Sequence, residues 1–352
     1  VKIAVVITTY NEAKTGWRER QLPDGSKVMA FEDELSEKYD GNELRATIES
    51  VRHNTKVPVS IVVVDDGSDD HCADGLDREG VTVIRHKKRI GIGFSRTEGV
   101  KSIPSDTDAV MFLDAHQRVS ACCIEHCCRL AVENQCVTWP DTRGLRDRPR
   151  WTHVPRGRSQ ETWTGHAARP RTIPGRKEQK EGNGRRYFQA SWIIDAPMDK
   201  ISRTSALISP GYAMPLSVWK QLEISTLTRG FGANEPMLWV KCFFLDIPIL
   251  HTCHAMVRHL FRATTGHYRI GLGEVYRNMA ILARTCFDDA TWRNWWWPSV
   301  FDCEFLDRDA RAVLESAQMR EEHLAFQSAK KRTDSQFWRG LCLENPPIEG
   351  LS

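Results

Sequence analysis

Long apolar runs are missing from this chain, and nowhere does one approach the roughly 20 residues that a bilayer-spanning helix needs. The first ten residues, VKIAVVITTY, lack the charged-then-apolar profile of a secretory leader and read as a strand. A soluble, intracellular (cytoplasmic) protein with no membrane partner is therefore expected. Internal repeats and low-complexity tracts are missing too, which excludes solenoids and arrays. The segment KKRIGIGFSR has neither the G-x-G-x-x-G spacing of a dinucleotide fold nor a P-loop lysine, so neither dinucleotide nor ATP binding is indicated.

Regular cysteine spacing is also absent. The 11 cysteines are odd in number and irregularly placed, which argues against a disulfide scaffold and for buried thiols in a reducing compartment. The densest cluster, CCIEHCC at 122–128, lacks the paired C-x-x-C arrangement of structural zinc. It follows a strand end, where a helix that buries its sulfurs is expected.

What is present suffices for one large α/β domain or two ordinary ones: 352 residues, 41% hydrophobic and 27% charged. Four β-branched or apolar runs, KIAVVI, VSIVVVDD, VTVIRH and AVMFLDAH, read as buried strands. Helical spacing in ELRATIESVRHNT, with Leu44, Ile48 and Val51 on one side, and a helix opening at GIGFSRTEGVKS separate them. This alternation predicts a mostly parallel central sheet flanked by helices. In such sheets ligands bind beyond the carboxyl ends of the strands. Three strands end in polar clusters (Thr8, Thr9, Asn11 and Glu12; Asp65 and Asp66; Asp114 and His116), and these are expected to line one crevice.

Residues 13–40, polar and containing Pro23-Asp24-Gly25, read as an inserted loop. Between Thr142 and Arg186 stand 13 Lys/Arg and 4 Asp/Glu, a balance of +9 in a chain of net charge +3, so the remainder sums to −6. With its prolines, glycines, Trp151 and Trp163, residues 142–186 read as an irregular excursion, either a solvated loop or a surface for a polyanion with indoles for stacking. Beyond it, TSALISPGYAMPLSVWKQL predicts a strand, a Pro-Gly turn and a helix. A helix from Glu235, a strand IPILHTC and a helix EVYRNMAILARTCFDD follow. The expected organisation is one domain over 1–300, comprising a first half (1–116), the basic irregular insertion (142–186) and a second half (187–300), with a helical extension over 301–352.

An Asp-x-His pair at a strand end places a carboxylate and an imidazole about one pleat apart, suited to two ligands of one divalent metal. Mixed oxygen and nitrogen ligation suits Mn2+, whereas Mg2+ is more often held by carboxylates and water. The competing reading is an acid that caps a helix beside a histidine satisfied nearby. By spacing alone His251 and His254 compete for the third ligand position. Asp65 and Asp66 stand where carboxylates read a base or ribose, and the following turn offers Arg89, Gly91 for close backbone approach, and Arg96 for a diphosphate.

These motifs resemble the nucleotide-sugar glycosyltransferases of the GT-A fold. VVITTYNEA and VVVDDGSDD are similar to the two strand ends of that broad group, and FLDAH is the string that binds manganese in the polypeptide N-acetylgalactosaminyltransferases. RIGIGFSRTEG, SPGYAMPLSVW, FGANEPMLWVKC, VRHLFR and YRNMAILARTCFDD resemble further motifs of those enzymes in the same order, covering roughly residues 3–297. The resemblance implies a GT-A fold, a UDP-sugar donor and Mn2+ or another divalent metal. It implies Asp114, His116 and His259 as metal ligands, with Thr8, Tyr10, Glu12, Arg89 and Gly91 in the donor site. Asp65 or Asp66 would contact the uridine, Arg96 the sugar or diphosphate, Gly211 and Glu235 the donor sugar, and Arg262 the diphosphate; Arg96, Glu235 and Arg262 are the catalytic candidates. Phe231 stands where that group has Trp, Asn234-Glu235 replaces Glu-Asn, and Ser209-Pro210-Gly211 replaces Ala-Gly-Gly.

Retention of anomeric configuration is implied by the resemblance, and Glu235 as general base for inversion is the rival chemistry. The resemblance points to a peptide Ser/Thr acceptor. The +9 segment points to a nucleic acid, with hydroxymethylated pyrimidine in DNA as the favoured acceptor and a virus-encoded DNA-modifying enzyme as one setting. A reading from another class is a non-catalytic nucleic-acid-binding protein on the same fold.

Overall fold

The structure, a computed structural model, describes residues 1–145, 164–174, 184–193, 201–207, 211–261, 271–298 and 308–340. Strand β1 (Ile3–Thr9) is buried along its whole length, as expected of a β-branched run covered on both faces. Residues 13–40 fold, contrary to the loop expected there: β2 (Trp17–Gln21) pairs antiparallel with β3 (Lys27–Phe31), and α1 (Glu34–Lys38) follows. The Pro-Asp-Gly stretch is the hairpin turn, with Gly25 at φ 85° and Leu22 N donating to Ser26 O at 2.8 Å. Helix α2 (Glu43–Asn54) is capped by Asn42, whose side chain accepts from Arg45 N, and buries Leu44, Ile48 and Val51.

Then come β4 (Val59–Asp65), β5 (Thr82–Arg85), α3 (Ile92–Lys101), β6 (Ala109–Asp114), β7 (Gln117–Val119), α4 (Cys123–Asn134) and β8 (Val137–Gly144). The CCIEHCC segment is the start of α4, with Cys123, Cys127 and Cys128 buried, and His126 Nε2 lies 3.0 Å from Thr252 Oγ1. Strand β9 (Thr164–Pro174), inside the basic segment, pairs antiparallel with β10 (Gly184–Ile193), which begins there. Where 142–186 falls among the described residues it is therefore mostly strand (the end of β8, β9 and the start of β10), a pairing that the prolines and charges obscured in the sequence, while 146–163 and 175–183 lie outside the described residues. Strand β11 (Ile201–Arg203) precedes β12 (Tyr212–Pro215) and α5 (Leu216–Leu222), so the strand expected before the Pro-Gly turn lies after it. Helix α6 (Asn234–Phe244), β13 (Ile249–His259) and α7 (Leu272–Cys286) follow, and helices at Arg308–Leu314, Ala317–Ala329 and Asp334–Gly340 end the described chain.

The main sheet runs β11-β13-β8-β12-β6-β1-β4-β5, with β7 added alongside β13. Strands β6, β1, β4 and β5 are parallel, β8 and β13 are parallel, and β12 joins the two groups antiparallel. Side chains alternate between faces. Val6, Val62, Val64, Val110 and Phe112 join a core with α6, α7 and the C-terminal helices, where Phe337 and Trp338 pack with Phe244 and Phe287. Val5, Ile7, Val63, Met111 and Leu113 join α2 and α4 on the other face. Gly99 on α3 lets that helix close on the sheet, because a Cβ there would run into Val6.

Candidate active site

Register explains why the three polar clusters meet. Thr9 pairs with Asp65, and Thr8 with Asp114, so β1, β4 and β6 end level at one edge. The crevice beyond them encloses about 620 Å3 and is lined by Thr8, Thr9, Tyr10, Glu12, Asp66, Arg89, Asp114, His116, Glu235 and His259, together with the 230–234 loop, Ile92, Ser95 and Phe261.

Asp114 ends β6 and His116 follows after the buried Ala115. Pairing of β7 with β13 sets Gln117 opposite His259, which delivers that distant histidine to the same spot. His116 Nε2 lies 3.1 Å from His259 Nε2, and His259 Nε2 lies 3.8 Å from Asp114 Oδ2. One ligand atom from each of Asp114, His116 and His259 fits within 4.8 Å of the others, and no other group of three such side chains occurs among the described residues. His251 is buried against Trp139, and His254 lies beside His126, so neither of the competing histidines joins the cluster. A carboxylate with two imidazoles, half-buried and converging, is a donor set that fits Mn2+ or a similar ion.

Behind the cluster lies Arg96 of α3, only 2% exposed. Its Nη2 donates to Asp114 Oδ1 at 3.3 Å and its Nη1 to Glu235 Oε1 at 3.0 Å, and its guanidinium lies 5.2 Å from the Tyr212 ring centre. Arg96 is therefore packed beneath the crevice and holds two of its acids. Burial pushes the Asp114 carboxyl above its ordinary range, with Arg96 and then His116 pulling the other way. Glu235 reaches the crevice from the first turn of α6, which begins after Ala233 at φ 61°.

Asp66 lines another part of the crevice. Its oxygens accept from Ile90 N (2.9 Å) and Gly91 N (2.8 Å), and Oδ1 also lies 2.8 Å from His86 Nδ1. Gly91, at φ 134°, starts α3 and abuts Gly230 so closely that a Cβ would overlap the Gly230 backbone. Asp65 accepts instead from Ser68 N and Arg85 and does not line the crevice. Arg89 lies 5.9 Å from the Tyr10 ring centre and forks onto Glu274 at 3.3 and 3.2 Å. Gly211 is buried against Val257 and Leu113, and Arg262 lies outside the described residues.

Two side chains that the sequence reading did not single out shape the rim. Asn278 on α7 donates to the carbonyls of Arg229, Phe231 and Gly232 and accepts from Arg229 N. Glu274, one turn earlier, accepts from Phe231 N at 2.9 Å. Together they tether the 229–232 loop, which presents the partly exposed Phe231 to the crevice. Polar residues four apart on an amphipathic helix next to a glycine-rich loop were the available signal.

Residues 37–193 match the model of the family described as glycosyl transferase family 2. No curated protein sequence matches the chain. Among solved structures, that of GalNAc-T7 with UDP, GalNAc and Mn2+ superposes with a TM-score of 0.61 at 16% identity, over 97% of this chain and 56% of that one. The fold is the GT-A glycosyltransferase fold. This GT-A chain spans little more than half the length of the GalNAc-T7 chain and resembles the polypeptide N-acetylgalactosaminyltransferases in the order of its motifs. S. aureus TarS 1-349 in complex with UDP-GlcNAc is a more distant match, with a TM-score of 0.47 at 14% identity over 94% of this chain and 81% of that one. Among the described residues no helix is long and apolar enough to cross a membrane.

Proposed function

We propose that the protein is a metal-dependent glycosyltransferase that moves a sugar from a UDP-sugar to a hydroxyl of a macromolecule. The supporting observation is the convergence of Asp114, His116 and His259 inside a crevice that also holds Asp66, Arg89 and Glu235. These three side chains would hold Mn2+ or a similar ion, which supplies positive charge for a leaving diphosphate. Tyr10 and Arg89 form the wall toward the nucleotide, and Glu235 and the Phe231 loop form the wall toward the sugar. Arg96 keeps Asp114 and Glu235 in place from below, so the acids need not reorganise as charge develops.

Transfer breaks the bond from the anomeric carbon to the diphosphate and forms one to the acceptor oxygen, whose proton leaves on the released UDP. Retention of configuration is the outcome that the family resemblance supports. A reversed anomeric coupling in the product NMR spectrum would instead assign Glu235 as a general base for inversion. The donor sugar is GalNAc, GlcNAc or Glc, and the GalNAc-T7 likeness favours the first.

For the acceptor we favour a hydroxymethylated pyrimidine in DNA, on the strength of the +9 balance of residues 142–186. The second reading, a peptide Ser/Thr hydroxyl, rests on the likeness to GalNAc-T7. Mass spectrometry of hydroxymethylcytosine DNA and of a Ser/Thr peptide pool after incubation with each UDP-sugar and Mn2+ separates them. A hexose or N-acetylhexosamine mass on DNA supports the first reading, and one on peptides alone supports the second. Duplex binding with no turnover on any acceptor would favour a non-catalytic nucleic-acid-binding protein.

A further inference from the structure

We infer that Glu12 is a positioning residue for the metal-ligand set, fixing the His116 ring so that Nε2, and not Nδ1, is offered to a cation. The inference rests on the metal-dependent reading above and assigns Glu12 a role other than direct contact with the donor. Glu12 is 3% exposed, although it stands at the crevice wall. Its Oε1 lies 3.0 Å from His116 Nδ1, and its Oε2 accepts from the Thr15 hydroxyl. Its main-chain carbonyl accepts from Glu43 N at 3.0 Å, which ties the residue to the start of α2.

Both carboxylate oxygens are thus engaged within the protein, and the carboxylate is anchored independently of His116. An ionised carboxylate only accepts, so the proton between the two groups belongs to His116 Nδ1. The Nε2 lone pair then faces His259 Nε2, 3.1 Å away, and the Asp114 carboxylate beyond it. A carboxylate behind a ligating imidazole selects the tautomer, holds the ring plane and raises the basicity of the other nitrogen. Glu12 and Thr15 sit in the loop that leaves β1, whose end is level with that of β6 because Thr8 pairs with Asp114.

Two measurements on the full chain test this. Manganese binding is followed by titration with electron paramagnetic resonance of the free ion, and the His116 tautomer is read from 15N imidazole shifts of the metal-free protein. Glu12→Ala should weaken manganese affinity about 10- to 100-fold and shift His116 from the Nδ1–H form toward a mixture. Glu12→Gln, which retains an acceptor oxygen, should keep the Nδ1–H form and weaken affinity less. A folded Glu12→Ala protein with wild-type affinity and an unchanged tautomer overturns the inference. Should Glu12→Ala fail to fold, a Glu12→Gln protein whose manganese affinity equals that of the wild type overturns it. If the wild type binds no manganese, the metal-dependent reading fails, while the tautomer of the metal-free proteins still decides whether Glu12 orients the ring.

Discussion

Arg96 donates to both Asp114 and Glu235 from a position 2% exposed, so one guanidinium compensates two acids that a crevice would otherwise leave facing each other. Removing one partner of a buried ion network leaves the others uncompensated. Arg96→Met is therefore expected to cost about 3–5 kcal/mol in a urea unfolding series, on the scale of broken buried pairs. Arg96→Lys, which keeps the charge but loses the fork, should fold better and still lose transfer. A full-strength Arg96→Lys enzyme would show that the two-acid clamp is dispensable. The sequence presented Arg96 as a sugar or diphosphate contact; its burial against Asp114 and Glu235 was not readable, because motif spacing reveals distance along a helix but not which side meets the sheet. Asp114 and His116 were legible because an acid and an imidazole on one strand end converge whatever the remainder does. His259 was not fixed by spacing. Its arrival depends on the antiparallel pairing of β7 with β13, a contact between segments more than a hundred residues apart.

At the level of elements, the crevice rim is a joint between α3, the 229–232 loop and α7. Gly91→Ala forces a Cβ into the Gly230 backbone at a φ that L-residues rarely adopt, so a loss of about 1–3 kcal/mol from strain alone is expected. Calorimetry should show weakened UDP binding at the same time. Asn278→Ala leaves three loop carbonyls without their shared amide, at about 1–3 kcal/mol for unsatisfied groups. Its signature is a raised KM for the donor with the metal affinity retained; an unchanged KM would mean that the loop holds its place without the tether.

A second joint titrates. His323, buried in the Ala317–Ala329 helix, lies with Nδ1 2.9 Å from Arg284 O, and burial, then Arg284, depresses its pKa below the ordinary 6.5. Between that depressed value and 6.5 the unfolded chain binds more protons than the folded one, so this contribution to stability is present above about pH 6.5 and fades as pH falls through the folded pKa. Tm measured from about pH 7 to 5 should fall less steeply in His323→Gln than in the wild type. Parallel curves would exclude the residue from the acid response. Strands with β-branched runs and helices with clean apolar stripes were readable from the sequence. The β2–β3 hairpin was not, because β2 is mostly polar, β3 is largely exposed despite its apolar residues, and the two pair only with each other.

Across the whole molecule, charge separates into a +9 segment and a remainder of −6. If the acceptor is DNA, duplex affinity falls steeply with salt. Replacing Arg146, Arg148 and Arg150 by Ala should then lower the slope of log affinity against log salt by up to about 0.9 per lost phosphate contact. An unchanged slope would turn attention to peptide acceptors. A sheet with a parallel group of strands and a crevice at their ends followed from alternating strands and helices, whereas the strand order, with β12 joining antiparallel, did not; nor did the acceptor surface, because polyanion recognition uses charge clusters that solvated loops also carry.

Metal-dependent sugar transfer is decided by UDP release from UDP-GalNAc, UDP-GlcNAc and UDP-Glc with Mn2+ and an acceptor pool, in the wild type and His116→Ala. Release with at least one donor is expected, abolished by chelation and in the variant. Release that persists in folded His116→Ala at the wild-type rate, or that is indifferent to chelation, would contradict it.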